Sequence, residues 1–339
     1  MKILHIGGTG LISSACVAED IARDRDVFVL NRGITNKVPL PNRAHRLVAD
    51  ASDGSAVQEA IAGHHFDAAV QWVAFTPDQV TLDLDLYRNC AQYVFISSAS
   101  AYQKPPAHYL VTEAGTPLDN PHWSYSRDKI ACEQILRVAH EESGFPVTII
   151  RPSLTYGPTQ IPVAVGNWEK PFTIIDRMRR GAPIIVPGDG TSLWTLTHNT
   201  DFAKGLTGLL GNPGAIGEDF HITSEEVLTW NQIYALVGAA AGAEPDLLHV
   251  PTDALIAADP SLEGTLWGDK VHSAVFDNAK LRSLVPDFAA TVSFAEGIRE
   301  SVAWFDADPQ RRDIDHQADA LWDLIAAVYA DALQRVRSG

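Results

Sequence analysis

Tyr125 and Lys129 stand four residues apart in the segment His122-Trp123-Ser124-Tyr125-Ser126-Arg127-Asp128-Lys129-Ile130-Ala131-Cys132-Glu133. Apolar Ile130, Ile135 and Leu136 alternate there with polar Arg127, Glu133, Gln134 and Arg137, a helix-like texture. On a helix, residues four apart lie one turn from each other on the same face. A lysine ammonium held there favours the charged phenolate and pulls a tyrosine down from a pKa of about 10 toward the working pH. That chemistry makes Tyr125 a candidate general acid/base. The spacing alone fits a half-buried tyrosine beside a solvated lysine equally well. Its weight depends on the elements that position it.

Those elements begin at the N-terminus. Residues 2–6 read as a short buried strand, followed at once by Gly7-Gly8-Thr9-Gly10-Leu11-Ile12-Ser13, a helix-like stretch to about residue 24 and a second strand over 27–30. Strand, glycine turn, helix and strand in this order open a dinucleotide-binding βαβ unit. Small residues let the backbone approach a pyrophosphate, and the helix N-terminus offers free N–H groups and a positive dipole end. The second strand ends in Asn31-Arg32-Gly33. An NAD-preferring site usually carries Asp or Glu there for the ribose hydroxyls. Asn31 lacks the charge and Arg32 can pair with a 2′-phosphate, so the cofactor is NAD or NADP with NADP favoured. Arg32 as a solvated loop residue is the alternative.

Further strands are expected over 47–50, ending in Asp50 at the adenine edge, over 67–74, over 93–102 and over 147–152, with helices over 53–63, 78–90 and 126–143 between them. The strand at 93–102 delivers Ser97, Ser98 and Ser100 at its carboxyl end, where open α/β sheets bind ligands. Strands alternating with helices imply α/β architecture: a Rossmann-type doubly wound parallel sheet. The expected division is a cofactor-binding domain over 1–155, with strands returning from about 190–225, a smaller α+β substrate-binding region mainly over 156–305, and a helical tail over 306–339. Strand 220–223 and helices over 229–241 and 294–305 belong to this second half. The tail's apolar side (Leu321, Ile325, Val328, Leu333) suits packing on its own core or a homodimer interface.

The bulk numbers bound the class. A net charge of −16, from 26 basic and 42 acidic residues, argues against broad nucleic-acid or anionic-membrane binding. Cys16, Cys90 and Cys132 are far apart and odd in number, without metal-ligand spacing, which predicts reduced thiols and no metal. The chain enters its first strand with no signal-peptide profile, and no apolar run is long enough to span a bilayer. A cytoplasmic protein with a small-molecule substrate is expected.

Taken together, the chain resembles the extended short-chain dehydrogenase/reductases of the NAD-dependent epimerase/dehydratase group. The resemblance runs from Ile6-Gly7-Gly8-Thr9-Gly10-Leu11-Ile12 through Phe95-Ile96-Ser97-Ser98, Tyr125-x-x-x-Lys129, Arg151-Pro152 and Tyr156-Gly157-Pro158. It continues through Gly188-Asp189-Gly190, His198-x-x-Asp201-Phe202-Ala203 and Phe294-Ala295-Glu296-Gly297-Ile298 to Trp304. Asn31-Arg32-Gly33 and Phe75-Thr76-Pro77 are also similar to the chloroplast stem-loop-binding branch, whose members are linked to RNA. The resemblance implies Tyr125 as acid/base, Lys129 on the nicotinamide ribose, and Ser98, four residues before Tyr102, on the substrate oxygen, with Ser97 as rival. It implies cofactor contacts at Gly7, Thr9, Gly10, Leu11, Ile12, Asn31, Arg32, Asp50, Ala74, Lys129 and Pro152. Substrate contacts are expected at Ser100, Tyr102, Trp123, Thr155 and Trp194.

Departures narrow the substrate. The family's 4,6-dehydratases carry Asp-Glu after the catalytic hydroxyl, where this chain has Ala99 and Ser100. Leu154 stands where many sugar-nucleotide epimerases have Asn, and Trp194 where they have an Arg that clamps the diphosphate. Trp194 would instead stack on a planar or sugar face, or sit in the core. The expected function is an NAD(P)-dependent oxidoreductase or epimerase acting on a hydroxyl or carbonyl of a sugar or sugar-nucleotide-like substrate, and not a 4,6-dehydratase. A reductase of a non-sugar aldehyde or ketone is the alternative among enzymes. An RNA-binding or scaffold protein on the same fold is the alternative of another class. Arg177, Arg179 and Arg180 form either an anion site or, more in keeping with such clusters, a solvated helix face.

Overall fold

The computed structural model describes residues 1–34 and 38–338. It divides into two compact units. Unit 1 comprises Met1–Thr155, Thr197–Glu225 and Phe276–Thr291; unit 2 comprises Tyr156–Leu196, Glu226–Val275 and the residues from Val292 onward. Two segments therefore return to unit 1. The second of them, Phe276–Thr291, falls within the stretch that the sequence suggests is substrate-binding, and the C-terminal residues cluster with unit 2.

Unit 1 is built on five parallel strands, β1 (Lys2–Ile6), β2 (Asp26–Asn31), β3 (His45–Val48), β4 (Ala68–Gln71) and β5 (Gln92–Ile96), joined by the strands Val147–Pro152 and Asp219–Ile222. The seven lie in the order Asp219–Ile222, Val147–Pro152, β5, β4, β1, β2, β3. Every pairing is parallel, with Ile3 opposite Val27 and Ala68, and Ile96 opposite Ile150. The apolar runs of β1, β4 and β5 follow from this topology, because a parallel sheet covered by helices buries both faces of its strands. The strand order reverses between β1 and β4, and that switch point opens a crevice at the carboxyl ends of the strands.

Helices α1 (Ser13–Ala22), α2 (Gly54–Ala60), α3 (Pro77–Leu86) and α4 (Ser124–Ser143) follow β1, β3, β4 and β5. α4 ends at Gly144, whose left-handed φ of 70° closes the helix as only glycine does without strain. The buried face of α4 reads Ser126, Lys129, Cys132, Glu133, Leu136. Three of these five side chains are polar, so through its first three turns this helix packs largely by hydrogen bonds. β5 is shorter than its apolar run suggests. It ends at Ile96 because the Ser98 side chain accepts the backbone N–H of Ser100 and starts a single 3₁₀ turn, Ala99–Ala101.

Among the buried carboxyls of unit 1, Asp83 is held by neutral donors. Asp83 is 1% exposed and accepts hydrogen bonds from Gln71 Nε2 at 2.8 Å and Tyr93 Oη at 2.6 Å. Burial pushes it up to about 7, and the two donors only partly offset that. Its folded value therefore lies above the unfolded one, so between about pH 4 and 7 the folded chain holds the extra proton and loses stability as pH rises. Asp83→Asn keeps an oxygen for both donors and removes the buried charge. It is expected to gain on the order of 1–3 kcal/mol at pH 8 and almost nothing at pH 4, read from urea midpoints at the two pH values. A gain of equal size at both pH values would refute this account.

Unit 2 holds a parallel pair, Ile184–Pro187 with Leu247–Val250, and an antiparallel pair, Leu193–Trp194 with Leu228–Thr229. The helices Trp230–Ala241 and Phe294–Asp306 each start from a reciprocal capping box, Thr229 with Gln232 and Ser293 with Glu296. The arginine cluster divides: Arg177 is buried, Arg179 and Arg180 lie on the exposed face, and all three are paired with carboxylates. Arg177 is fully buried and its Nη2 lies 2.8 Å from Asp323; Arg179 makes a two-pronged pair with Asp306 at 2.7 and 2.6 Å; Arg180 pairs with Asp176 at 3.0 Å. Arg177 and Arg180 both bond Asp319, tying the start of the C-terminal helix His316–Ser338 to this unit. Farther along that helix Leu324 and Val328 are 61% and 57% exposed, while the Leu333 side chain lies outside the described residues.

Candidate active site

The glycine turn is held by its own backbone. Gly7 sits at φ 93° with its N–H on the Leu30 carbonyl, and an added Cβ would meet Val73 Cγ1 at 2.5 Å. Ser13, where a third glycine would often stand, spans the turn: its Oγ accepts the Gly10 N–H at 2.9 Å and donates to the Gly7 carbonyl at 3.2 Å. Asn199 Nδ2 fixes the Leu11 carbonyl at 2.9 Å. Helix α1 then starts at Ile12 with no side-chain cap and no acidic residue in its first turn. An uncapped helix start behind a glycine turn leaves N–H donors and a positive dipole end for an anion. At Gly10 an added Cβ would meet only Ser13 Oγ within 4 Å, at 3.3 Å, so the backbone lies open there. These features fit the pyrophosphate of a nicotinamide dinucleotide.

At the end of β2, Asn31 Oδ1 accepts the Gly33 N–H at 2.9 Å, and its Nδ2 is buried without an acceptor among the described residues. Arg32 is 61% exposed, with Nη1 at 3.9 Å from Asp50 Oδ2. Asp50 is occupied locally: the Ser52 N–H and hydroxyl both bond its Oδ1, at 3.0 and 2.8 Å, and hold the carboxyl below its usual range, with Arg32 a smaller contribution.

Tyr125 and Lys129, the expected acid/base pair, lie on α4. Lys129 is 1% exposed, and its Nζ donates to the carbonyls of Ala74 and Ile96, each at 2.7 Å. One lysine thus ties together the ends of the neighbouring strands β4 and β5 beside the crevice. Its Nζ lies 5.8 Å from the Tyr125 ring centroid, 4.8 Å from that of Phe75 and 4.7 Å from that of Phe95. Burial lowers Lys129 to about 8. An ammonium has three donors, so two carbonyl bonds leave one for a further acceptor. Tyr125 is half-buried, with Trp123 at 5.0 Å and Phe75 at 6.5 Å between ring centroids.

The two neighbouring serines separate cleanly. Ser97 is 3% exposed and donates to Glu133 Oε1 at 2.5 Å, so its hydroxyl serves a buried ionic network. Ser98 is partly exposed at the strand end and bonds Ser100 within the turn, Oγ to Oγ at 2.9 Å and N–H to Oγ at 3.2 Å. Below them Arg151 makes a two-pronged pair with Glu133 at 2.9 and 2.6 Å and a bond to Asp219 at 2.5 Å. Burial works against the Arg151 cation, yet the Glu133 carboxylate beside it holds it above its usual range. Glu133 reads as a surface position in sequence but is 0% exposed. The one available signal was its spacing, four residues after Lys129 on the same helix face.

Four expected substrate residues are buried. Tyr102 is 1% exposed; its hydroxyl bonds Arg151 at 3.0 Å and His221 Nδ1 at 3.1 Å, so it belongs to the ionic network. Burial drives the phenol far above its ordinary range and lowers His221 to about 4. Trp194 is 1% exposed against Trp230 at 5.2 Å, its indole N–H on the Lys270 carbonyl at 3.0 Å; it is core, and no ring face is left for stacking. Thr155 is 4% exposed and donates to the Ser153 carbonyl at 3.2 Å. Ser100 is 4% exposed and lies behind Ser98. Trp123 alone of the five keeps a partly exposed ring beside Tyr125. Pro152 ends its strand opposite Ile222, and Ala74 contributes its carbonyl to Lys129. Among the described residues no cluster of His, Cys, Asp or Glu is placed to hold a metal, and no helix is long and apolar enough to cross a membrane.

Known proteins similar to this chain share one family. The model of the NAD dependent epimerase/dehydratase family matches residues 3–223. 2′-Dehydrokanamycin reductase of Streptomyces kanamyceticus is 25% identical over 293 residues, covering 85% of this chain and 80% of the relative. The chloroplast stem-loop binding protein of 41 kDa b of Arabidopsis thaliana is 26% identical over 261 residues, 73% of this chain and 65% of that protein. Among solved structures, UDP-glucose 4-epimerase of Thermus thermophilus in complex with NAD shares the fold at a TM-score of 0.72, with 21% identity over 90% of this chain and 99% of the other.

Proposed function

The chain belongs to the NAD dependent epimerase/dehydratase family of enzymes, and on that premise we propose that it oxidises or reduces a hydroxyl or carbonyl of a sugar or sugar-like substrate, with Tyr125 as acid/base, Lys129 as its cationic support and Ser98 as donor to the reacting oxygen. The observation that carries the reading is Lys129, buried one turn after Tyr125 and held by the Ala74 and Ile96 carbonyls. Burying an ammonium is costly, and it is retained here beside a tyrosine at the crevice.

Gly7, Thr9, Gly10, Leu11 and Ile12 would hold the dinucleotide's pyrophosphate at the start of α1, and the third donor of Lys129 would reach a ribose hydroxyl. When bound, the nicotinamide supplies the hydride acceptor or donor. The chain's residues handle the proton. In the oxidative direction the Tyr125 phenolate takes it from the substrate hydroxyl, and in the reductive direction the phenol gives it to the carbonyl oxygen. The Lys129 charge favours the phenolate, and Ser98 fixes the oxygen.

Ala99 and Ser100 follow Ser98, so no carboxylate stands there to serve as acid or base for eliminating water, and we read the chain as other than a 4,6-dehydratase. A reductase reading is favoured by the resemblance to 2′-dehydrokanamycin reductase, which covers 80% of that enzyme. NADP is the preferred cofactor, because the end of β2 bears Asn31 and an exposed Arg32 in place of a carboxylate.

Saturating NADH or NADPH is expected to raise the melting temperature; at a hundredfold excess over Kd the stabilisation is about 2.7 kcal/mol. Arg32→Ala is expected to weaken NADPH by roughly tenfold and leave NADH unchanged, the scale of one charge-assisted contact of about 1.5 kcal/mol. No shift with either cofactor, together with salt-sensitive retention of RNA, would replace the enzyme reading with the binding one.

A further inference from the structure

Three serines form a line of hydroxyls behind the strand end. Ser126 Oγ donates to Ser100 Oγ at 2.7 Å, and Ser100 Oγ lies 2.9 Å from Ser98 Oγ. The Ser100 N–H also donates to Ser98 Oγ, at 3.2 Å. Ser126 and Ser100 are 0% and 4% exposed, which puts both hydroxyls out of reach of a substrate. Asn120 Nδ2 donates to the Ser100 carbonyl at 2.7 Å and anchors the turn from below.

A hydroxyl has one proton and two lone pairs. Ser126 donates to Ser100, and among the described residues Ser98 Oγ is the one acceptor within reach of the Ser100 proton, so that proton is directed to Ser98 rather than left buried without a partner. The Ser98 oxygen then accepts twice from Ser100, once from N–H and once from O–H. Its own proton has no place along the line and points out of the turn. We propose, on the assignment of Ser98 made above, that Ser100 and Ser126 are positioning residues that set the polarity of the Ser98 hydroxyl, making it an obligate donor to the substrate oxygen.

This polarity has a chemical consequence. A carbonyl oxygen accepts from Ser98 and from the Tyr125 phenol together. A substrate hydroxyl accepts from Ser98 on a lone pair and keeps its proton free for the Tyr125 phenolate. In both directions the transferred proton moves only between Tyr125 and the substrate, while Ser98 keeps its own. The three-serine line thus prevents Ser98 from competing with Tyr125 as acceptor of that proton.

The test is neutron diffraction on deuterium-exchanged crystals of the full chain with NADP⁺ bound, which locates the three hydroxyl deuterons. The expected result is the Ser126 deuteron directed at Ser100, the Ser100 deuteron directed at Ser98, and the Ser98 deuteron directed away from both. A Ser98 deuteron lying between Ser98 and Ser100 would overturn the proposal. In Ser126→Ala the Ser100 oxygen loses its donor, and the Ser98 deuteron is expected to divide between the outward position and one facing Ser100; single outward density would remove Ser126 from the scheme. Ser126→Thr is expected to restore the single outward position, which a simple packing role for Ser126 would not require. Deuteron positions do not depend on turnover, so a reversed line with an intact Ser98→Ala phenotype sinks this proposal alone. A correct line in an enzyme indifferent to Ser98→Ala sinks the catalytic assignment instead.

Discussion

Tyr125→Phe is expected to lower turnover by about 10²–10⁴-fold, the usual worth of a positioned acid/base, while cofactor affinity stays within about twofold of the parent. The substitution removes one oxygen and keeps the ring that packs at 5.0 Å from Trp123 and 6.5 Å from Phe75. Lys129 keeps its carbonyl partners at 2.7 Å, so the crevice keeps its shape. A loss confined to kcat would mark an interaction made only in the transition state, whereas a loss confined to KM would mark a binding contact. Steady-state rates, with cofactor titration on the same preparation, separate these cases. Activity within tenfold of the parent would leave Tyr125 without its proposed role.

Much of the fold is legible from the sequence for a specific reason. In an all-parallel sheet both strand faces are buried, so β1, β2, β4 and β5 appear as short apolar runs bounded by turns. The glycine turn and the Tyr125–Lys129 spacing are local, set by contacts within a few residues. What lies beyond reach of the sequence depends on direction or on distant partners. Tyr102 and Trp194 each carry an apolar body and a polar tip, which suits a pocket wall or a core equally. Only the partners decide: the Tyr102 hydroxyl meets Arg151 and His221, and the Trp194 N–H meets the Lys270 carbonyl. Ser97 and Ser98 are indistinguishable by type. They alternate sides at the strand end, and Glu133 claims the first. The returning segment Phe276–Thr291 has no local mark at all, because its place in unit 1 comes from bonds such as Thr223 N–H to Asn278 Oδ1 at 3.2 Å.

The same distant bonds make Arg151 the residue whose loss unit 1 should tolerate least. It is 1% exposed and satisfies Glu133 at 0% and Asp219 at 8% exposure, residues 18 and 68 positions away. Its guanidinium also stacks 4.8 Å from the Tyr102 ring. Arg151→Met fills similar space but strands two carboxylates in a poorly solvated interior, and breaking a buried pair from one side costs about 3–5 kcal/mol. Arg137, 3.0 Å from Asp219 and 3.8 Å from Glu133, and Lys280, 3.7 Å from Asp219, soften the loss around Asp219 more than around Glu133. The deficit should therefore be concentrated on Glu133. Adding Glu133→Gln to Arg151→Met is expected to recover part of the loss, so that the double variant is more stable than the sum of the single effects predicts. Acidification should narrow the gap between Arg151→Met and the parent, because a stranded carboxylate can shed its charge by taking a proton. Urea denaturation at pH 8 and pH 5 measures both effects. A deficit below about 1 kcal/mol, or one unchanged between the two pH values and untouched by Glu133→Gln, would mean that the network is incidental to stability and that Ser97 needs no charged anchor.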